Sequence, residues 1–535
     1  MAIAIDFGTS NTVIARWNPV TQQPETLSLP GLSIQQSLNP PLIPSLVYVE
    51  NALKGQILAG QQVRDRGLDL SNDSRFFRSF KRGIGANIQG FLPEIDGQTV
   101  TFENAGKWFL TQVISQLSAS NPEVADSLVL TVPVDSFETY RHWLGGVCQD
   151  LAVQEVRMLD EPTAAALGYG ISDREIILVI DFGGGTLDLS LVKLDKSVQQ
   201  AANSKPLGFL LKFGNKSLAE DSKQKVKTAR VLAKAGQNLG GTDIDNWIVD
   251  HFAKTQGLVA TPLTTRLAEK IKIQLSTQTQ AGEVYFNDET FESYEIDLNR
   301  DTFTEILKNN GFCQRLDDSM TSLLQQARRQ GIEVADINAV LLVGGTSQLP
   351  AVQGWVQNYF DAGIIKCDRP FEAIAQGALQ LTQGLEIKDF LYHSYGIRYW
   401  DRRNNRHSWH PIVKSGQPYP MSQPVELLLG ASIESQPSIE LIMGELGVES
   451  GGTEVYFDGD RLITRRLDSG VTSVKPLNDK DGARNVANLT PPGFPGSDRV
   501  KIMFSVDEQR FLRITVEDLL TSETLVENQL VAQLS

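Results

Sequence analysis

The sequence predicts an α/β architecture up to about residue 384, followed by a separate all-β unit. Three observations predict it. Short, almost continuous apolar runs rich in Ile and Val alternate with longer stretches of helical period. After residue 385 that pattern gives way to period-two runs punctuated by Gly, Pro, Asn and Asp. One strand–turn–strand sequence also occurs twice, about 175 positions apart.

Ile3 to Asp6, Leu128 to Val132, Ile176 to Asp181 and Ala339 to Val343 are apolar enough to be central strands covered on both faces. Ala105 to Leu117, Ser136 to Leu151, Asp243 to Phe252 and Thr302 to Gln330 return an apolar residue every three or four positions and predict helices. In the second part, Val425 to Leu429, Ile439 to Met443, Val500 to Phe504 and Phe511 to Val516 alternate as strands do. Residues 196 to 235, Lys-rich around Lys223, Lys225, Lys227 and Arg230, read foremost as a solvated insertion, with a long hairpin excursion ending in a helix as the other reading. Residues 447 to 490 read as loop with one embedded hairpin.

The 535 residues allow roughly three or four compact units at about 150 residues each. Apolar content of 41% and charged content of 21% are those of a folding chain. A formal net charge of −15 argues against a general polyanion-binding role, on nucleic acid or on anionic lipid. Cys148, Cys313 and Cys367 are far apart and lack CxxC spacing, so neither a disulfide framework nor a thiolate metal site is indicated and a reducing cytoplasm fits. The first residues, Met-Ala-Ile-Ala-Ile-Asp, lack a signal peptide's basic flank, and no apolar run approaches the ~20 residues of a membrane helix. The expectation is a cytosolic protein that engages neither nucleic acid nor membrane.

The repeat carries the chemistry. Ala4-Ile5-Asp6-Phe7-Gly8-Thr9-Ser10 and Val179-Ile180-Asp181-Phe182-Gly183-Gly184-Gly185-Thr186 each run a buried strand to an Asp, turn through glycine and hydroxyl residues, and resume as a strand. Glycines let backbone N–H groups converge on phosphate oxygens, and Ser or Thr adds a hydroxyl. A carboxylate beside phosphate needs a divalent cation and its waters between the charges, and magnesium, which keeps most of its water shell, is the natural candidate. One such turn closes a hairpin as readily as it binds an anion; two copies favour the anion. Glu161, at the entry of a Pro-started helix in Leu159 to Ala166, could hold a magnesium-bound water, although alone it reads as an ordinary first-turn acid. Leu341 to Ser347 is a further strand breaking into glycines, a weak signal by itself. Glu269, Lys272 and Ser276 share a helix face, as many solvated triplets do.

Taken in order, Asp6 to Asn11, Phe80 to Gly85 with Lys81, Asp160 to Gly170, Asp181 to Asp188, Leu239 to Asp243 and Val343 to Pro350 resemble the nucleotide-site motifs of the Hsp70 chaperone family. The resemblance implies an actin-like, two-lobed ATPase domain over residues 1–384, a linker at 385–393 and a β-sandwich substrate domain at 394–535. It implies ATP or ADP between the lobes, with phosphates held by Gly8, Thr9, Ser10, Asn11, Gly183, Gly184, Gly185 and Thr186. Hydrated magnesium would be held by Asp6, Glu161 and Asp181, and Lys81 would touch the γ-phosphate and position the attacking water. Glu269, Lys272, Ser276 and the turn of Gly344, Gly345, Thr346 and Ser347 would recognise the adenosine, with Gly240, Gly241 and Gln348 also among the implied nucleotide-binding residues. Gln348 stands where the family usually has an arginine that stacks on the base, and Ile273 occupies the other stacking position.

By the same resemblance Pro133 and Arg141 would sense the nucleotide, Arg157 would face a J-domain co-chaperone, and Asp389 would close the linker. The linker, Leu385-Glu386-Ile387-Lys388-Asp389, lacks the family's run of leucines. Residues 398 to 410 carry Arg402, Arg403, Arg406, Trp400 and Trp409 where peptide-gripping loops would lie, and the chain reaches Ser535 without the family's helical lid. His407 and His410 lack a third metal ligand. The expected function is ATP-driven binding of unfolded or client polypeptide, with a nucleotide-exchange factor among the implied partners. The alternative is a nucleotide-gated adaptor for one partner. A sugar kinase or an actin-like filament protein fits less well, because Lys81 and the β unit belong to neither.

Overall fold

In the computed structural model the described residues are 2–18, 20–34, 39–86, 88–120, 127–133, 137–149, 155–170, 175–196, 210–212, 227–287, 291–383, 391, 394–401, 406–414, 417, 419–421, 423–446, 453–458, 461–466, 474–478, 485–507 and 510–534. The chain divides into two units, Met1–Ile387 with Gly452–Leu467, and Lys388–Gly451 with Asp468–Ser535.

The first unit is built on two sheets of the same plan. In one, strands Ala2–Phe7 and Asn11–Trp17 form a hairpin, and Ser127–Val132 runs parallel to Ala2–Phe7, with Glu155–Asp160 beyond it. In the other, Ile176–Phe182 and Leu187–Lys196 form the hairpin and Ile337–Val343 is the parallel neighbour. The parallel strands are buried almost end to end, which is why their sequences are runs rather than alternations. The registers match as well: Phe7 pairs with Thr12 and Phe182 with Leu187, leaving four residues in each turn.

Two short helices set the carboxylate end of this arrangement. Glu161–Gly168 starts with Pro162 in its first turn, and its cap Asp160 accepts the Thr163 amide at 2.9 Å. It lies against Ala373–Ala378 so closely that a Cβ on Gly168 would strike the Ala373 carbonyl and one on Gly377 the Ala164 carbonyl. That packing fixes where Glu161 begins.

Three sequence expectations need correction. The single helix expected over Thr302 to Gln330 is two, Arg300–Asn309 and Phe312–Arg329, because Gly311 turns the chain left-handed at φ 70°. No atom lies within 4 Å of a Cβ built there, so Gly311→Ala should cost about 1 kcal/mol by backbone strain alone. Urea denaturation checks this; an unchanged midpoint would contradict the left-handed turn. Second, the insertion does not end in a helix: Lys227–Gln237 is a strand paired along its length with Leu187–Lys196, tertiary pairing overriding the helical preference of its Ala and Lys residues. Third, Ile439 to Met443 is not one strand, since Gln436–Leu441 pairs with Asn485–Gly493 while Met443–Leu446 pairs with Ser394–Asp401. The hairpin expected between 447 and 490 is Thr453–Asp458 with Arg461–Arg466.

The second unit is a β-sandwich. One four-stranded sheet centres on Ser394–Asp401 and Met443–Leu446, the other on Asp498–Val506 and Phe511–Asp518. Its core includes Tyr395, Ile397, Leu441, Ile502, Phe504 and Ile514. A buried fork joins Arg499 Nε and Nη2 to the two Asp518 oxygens at 2.8 Å each, and the guanidinium holds that carboxyl below the usual carboxylate range.

Candidate functional site

Both expected turns form in the same way. The Gly8 amide donates to the Asn11 carbonyl at 3.1 Å, and the Gly183 amide donates to the Thr186 carbonyl at 3.1 Å. The turns also meet. A Cβ on Gly184 would collide with the Ser10 hydroxyl, and one on Gly185 would sit 2.7 Å from the Thr9 methyl carbon, so glycine is required for the approach. Two further glycine turns are stitched beneath them: the Gly241 amide donates to the Gly183 carbonyl at 3.1 Å, and the Thr346 hydroxyl donates to the same carbonyl at 2.8 Å. The Ser347 hydroxyl closes its own turn on the Gly344 carbonyl at 2.6 Å.

At the strand ends lie the charges. Lys81 Nζ is 2.9 Å from Glu161 Oε1, with side-chain exposures of only 12% and 10%. Burial alone would lower the ammonium's pKa, but Glu161, Tyr140 and Asp6 around it raise it. Asp6 accepts the Thr131 hydroxyl at 2.7 Å, and burial, then the neighbouring Glu161, push its pKa up to about 6. Asp181 is raised well above the carboxylate range, first by burial and then by Glu161, Asp188 and Asp6. Four carboxylates gathered at a largely buried site, with Glu161 buried and Asp6, Asp181 and Asp188 partly exposed, repel one another, and a cation would relieve them. The donor set and the glycine cradles therefore fit a hydrated magnesium ion beside phosphate.

The expected adenosine residues are already engaged with protein groups. Lys272 Nζ lies 2.7 Å from Asp245 Oδ1 and donates to the Gly241 carbonyl at 2.9 Å. Glu269 pairs with Arg64 at 3.2 Å, and Ser276 donates back to the Lys272 carbonyl at 3.3 Å. Gln348 is half-buried at the end of the Gly345–Gln348 turn, and Ile273 is 49% exposed, a poor floor for a base. Arg157 donates to the Leu381 carbonyl at 2.6 Å, while Pro133 is half-buried just after strand Ser127–Val132. Arg141 lies on helix Phe137–Gln149 with its side chain outside the description, and Asp389 lies outside the described residues.

Several members of the site carry no expectation from sequence. Asp188 sits opposite Asp181 in the hairpin register, a position readable from the Leu187-Asp188-Leu189-Ser190-Leu191 alternation once the turn length is known. Arg82, 3% exposed, donates to the Thr242 hydroxyl and the Asp243 carboxylate at 3.2 Å each. Thr131, Tyr140 and Asp245 join through tertiary packing, and no local pattern marks them. Among the described residues no helix is long and apolar enough to cross a membrane.

Comparison with known proteins agrees with this geometry. The family model "Hsp70 protein" matches residues 91–205 and 226–397, more than half of the chain. Chaperone protein dnaK1 of Synechocystis sp. is 25% identical over 448 residues, covering 79% of this chain and 55% of that protein. Chaperone protein DnaK of Elusimicrobium minutum is 27% identical over 410 residues, covering 73% and 59%. Chaperone protein dnaK of Emiliania huxleyi is 25% identical over 570 aligned positions, covering 97% and 78%. The chain thus spans between half and two thirds of the length of the first two relatives. With the paired turns, the charges at their strand ends and the sandwich that follows, these matches show that the chain belongs to the Hsp70 family.

Proposed function

We propose that the chain binds ATP with magnesium, hydrolyses it with water, and uses the nucleotide state to control how its β-sandwich holds unfolded or client polypeptide. The observation that carries this reading is the Lys81–Glu161 pair beside Asp6 and Asp181, at the head of two touching glycine turns. Asp6, Glu161, Asp181 and Asp188 would hold the magnesium through its waters, and the ion would neutralise phosphate charge. Gly8 to Asn11 and Gly183 to Thr186 offer amides and hydroxyls to the phosphates. Lys81 exchanges Glu161 for the γ-phosphate and orients the attacking water, with the Thr186 hydroxyl assisting. Hydrolysis on this reading comes from placement and charge stabilisation. Glu269, Lys272, Ser276 and the turn from Gly344 to Gln348 border the adenosine.

The same reading places the ATPase domain at 1–384, the linker at 385–393 and the substrate domain at 394–535, working in the cytoplasm. Pro133, Arg141, Arg157 and Asp389 would relay the nucleotide state, and a J-domain co-chaperone and an exchange factor would be partners.

A second reading, an adaptor for one partner, is favoured by the hairpin Ser394–Asp401 with Arg406–Val413. Its outer half shows Tyr399 at 39% and Trp400 at 44% exposure, with the His407 ring 4.9 Å from Trp400. One experiment separates the two: phosphate release from ATP in water alone, together with dissociation of a labelled unfolded peptide. ATP should speed peptide release roughly ten-fold, within the usual range of coupling between sites. Tight ATP binding without affinity for any generic peptide would sink the chaperone reading and leave the adaptor.

A further inference from the structure

Lys81 is held by more than its carboxylate. Its ammonium lies 5.7 Å from the centre of the Phe7 ring and 5.6 Å from that of Tyr140, between two aromatic faces. Phe7 is fixed in turn by Phe109 at 5.5 Å and Phe80 at 6.0 Å, and Tyr140 by Trp143 at 5.1 Å. Tyr140 is 1% exposed, and its hydroxyl is buried without a hydrogen-bond partner. A phenylalanine would pack the same space and spare the cost of an unpaired buried hydroxyl. The oxygen is also close to the site's charges: burial and the neighbouring Glu161 and Asp6 raise its pKa against the pull of Lys81.

We propose that Tyr140 is a positioning residue of the phosphate site: its ring, with Phe7, cages the Lys81 ammonium, and its hydroxyl is reserved for an oxygen that enters with the nucleotide. That oxygen belongs to the γ-phosphate or to the water beside it. The proposal rests on the ATP reading of the site for the hydroxyl, and on the ring geometry alone for the cage. Before nucleotide enters, the cage keeps the cation aimed. When phosphate arrives, Lys81 changes partner while the hydroxyl gains one.

Two substitutions separate the parts. Tyr140→Phe keeps the ring and removes the oxygen; Tyr140→Met keeps comparable volume and removes the aromatic face. The first measurement needs no nucleotide: the acylation rate of Lys81 by an amine-reactive reagent, read by mass spectrometry. Tyr140→Met should raise that rate roughly ten-fold, and Tyr140→Phe should leave it unchanged. The second uses fluorescent ATP and ADP analogues with single-turnover hydrolysis. Tyr140→Phe should melt no lower than the native chain yet lose roughly ten-fold in ATP affinity if the oxygen is the γ-phosphate's. If the oxygen is the water's, the loss appears in the hydrolysis rate and its pH profile, with affinities unchanged.

Native Lys81 reactivity in Tyr140→Met, or raised reactivity in Tyr140→Phe, would overturn the cage. Native binding and hydrolysis in Tyr140→Phe would overturn the hydroxyl's role. Should the native chain bind no ATP, the parent reading fails and the hydroxyl's assignment with it, while the Lys81 rates still decide the cage. If Tyr140→Met does not fold, Tyr140→Leu takes its place under the same criteria.

Discussion

Replacing Lys81 by alanine should lower ATP hydrolysis roughly 10²–10³-fold while ATP still binds, because one preorganised charge at the reacting phosphate contributes about 3–4 kcal/mol to the transition state. The phosphate turns are separate from Lys81, so ATP binding should persist, weakened by roughly ten-fold because a charged contact to the γ-phosphate is lost. The variant has a structural cost of its own. Glu161, 10% exposed, loses the cation 2.9 Å away, and removing one partner of a buried pair costs about 3–5 kcal/mol. Loss of activity in Lys81→Ala could therefore reflect unfolding. The double variant Lys81→Ala with Glu161→Gln removes the stranded charge and should recover much of the stability with none of the rate. Single-turnover hydrolysis and a thermal melt on both variants test this, and a folded Lys81→Ala chain that hydrolyses ATP at the native rate would remove Lys81 from the mechanism.

What the sequence reveals of this site follows the range of the interactions involved. The paired turns depend on neighbours a few residues apart, so Asp6, Gly8, Asp181 and Gly184 are legible as a repeat, and the structure builds matching hydrogen bonds at Gly8 and Gly183. Long strands buried on both faces are equally legible, as at Ile337–Val343. Lys227–Gln237 is not: its composition favours a helix, and only its partner Leu187–Lys196 makes it a strand. Gly311 ends a helix where period alone carries on. Tyr140 and Thr131 enter the site from a helix and a strand that earn their apolar signature elsewhere, so a phenol above Lys81 and a hydroxyl on Asp6 leave no trace in spacing. The expected adenosine set was legible as a helix face, yet the partners of its charges, Arg64 for Glu269 and Asp245 for Lys272, come from other segments.

Asp181→Asn should make the nucleotide-free chain more stable at neutral pH while lowering hydrolysis roughly 100-fold. Asp181 faces Asp188 across the hairpin and is pressed by Glu161 and Asp6, and burial with these charges raises its pKa, as it raises that of Asp6 to about 6. A carboxyl whose folded pKa lies above its unfolded value of 3.8 binds more protons in the native state than in the unfolded one. Stability is then greatest below pH 4 for these groups and is lost as pH rises through about 6 for Asp6, and in the same direction for Asp181 as pH rises through its own raised value. Asparagine keeps the shape without the charge, so the melting temperature at pH 7.5 should rise by a few degrees and the advantage should be smaller at pH 5, because the raised native carboxyl takes up its proton more readily than an ordinary one as pH falls. Magnesium and ATP together should reverse the order, since a ligand that binds the native state stabilises it in proportion to occupancy and the variant gives the cation one charge fewer. Melts at the two pH values, with and without magnesium and ATP, decide the matter: a variant less stable than the native chain at pH 7.5 without nucleotide, or an advantage independent of pH, would show that Asp181 is not held under electrostatic strain for a cation.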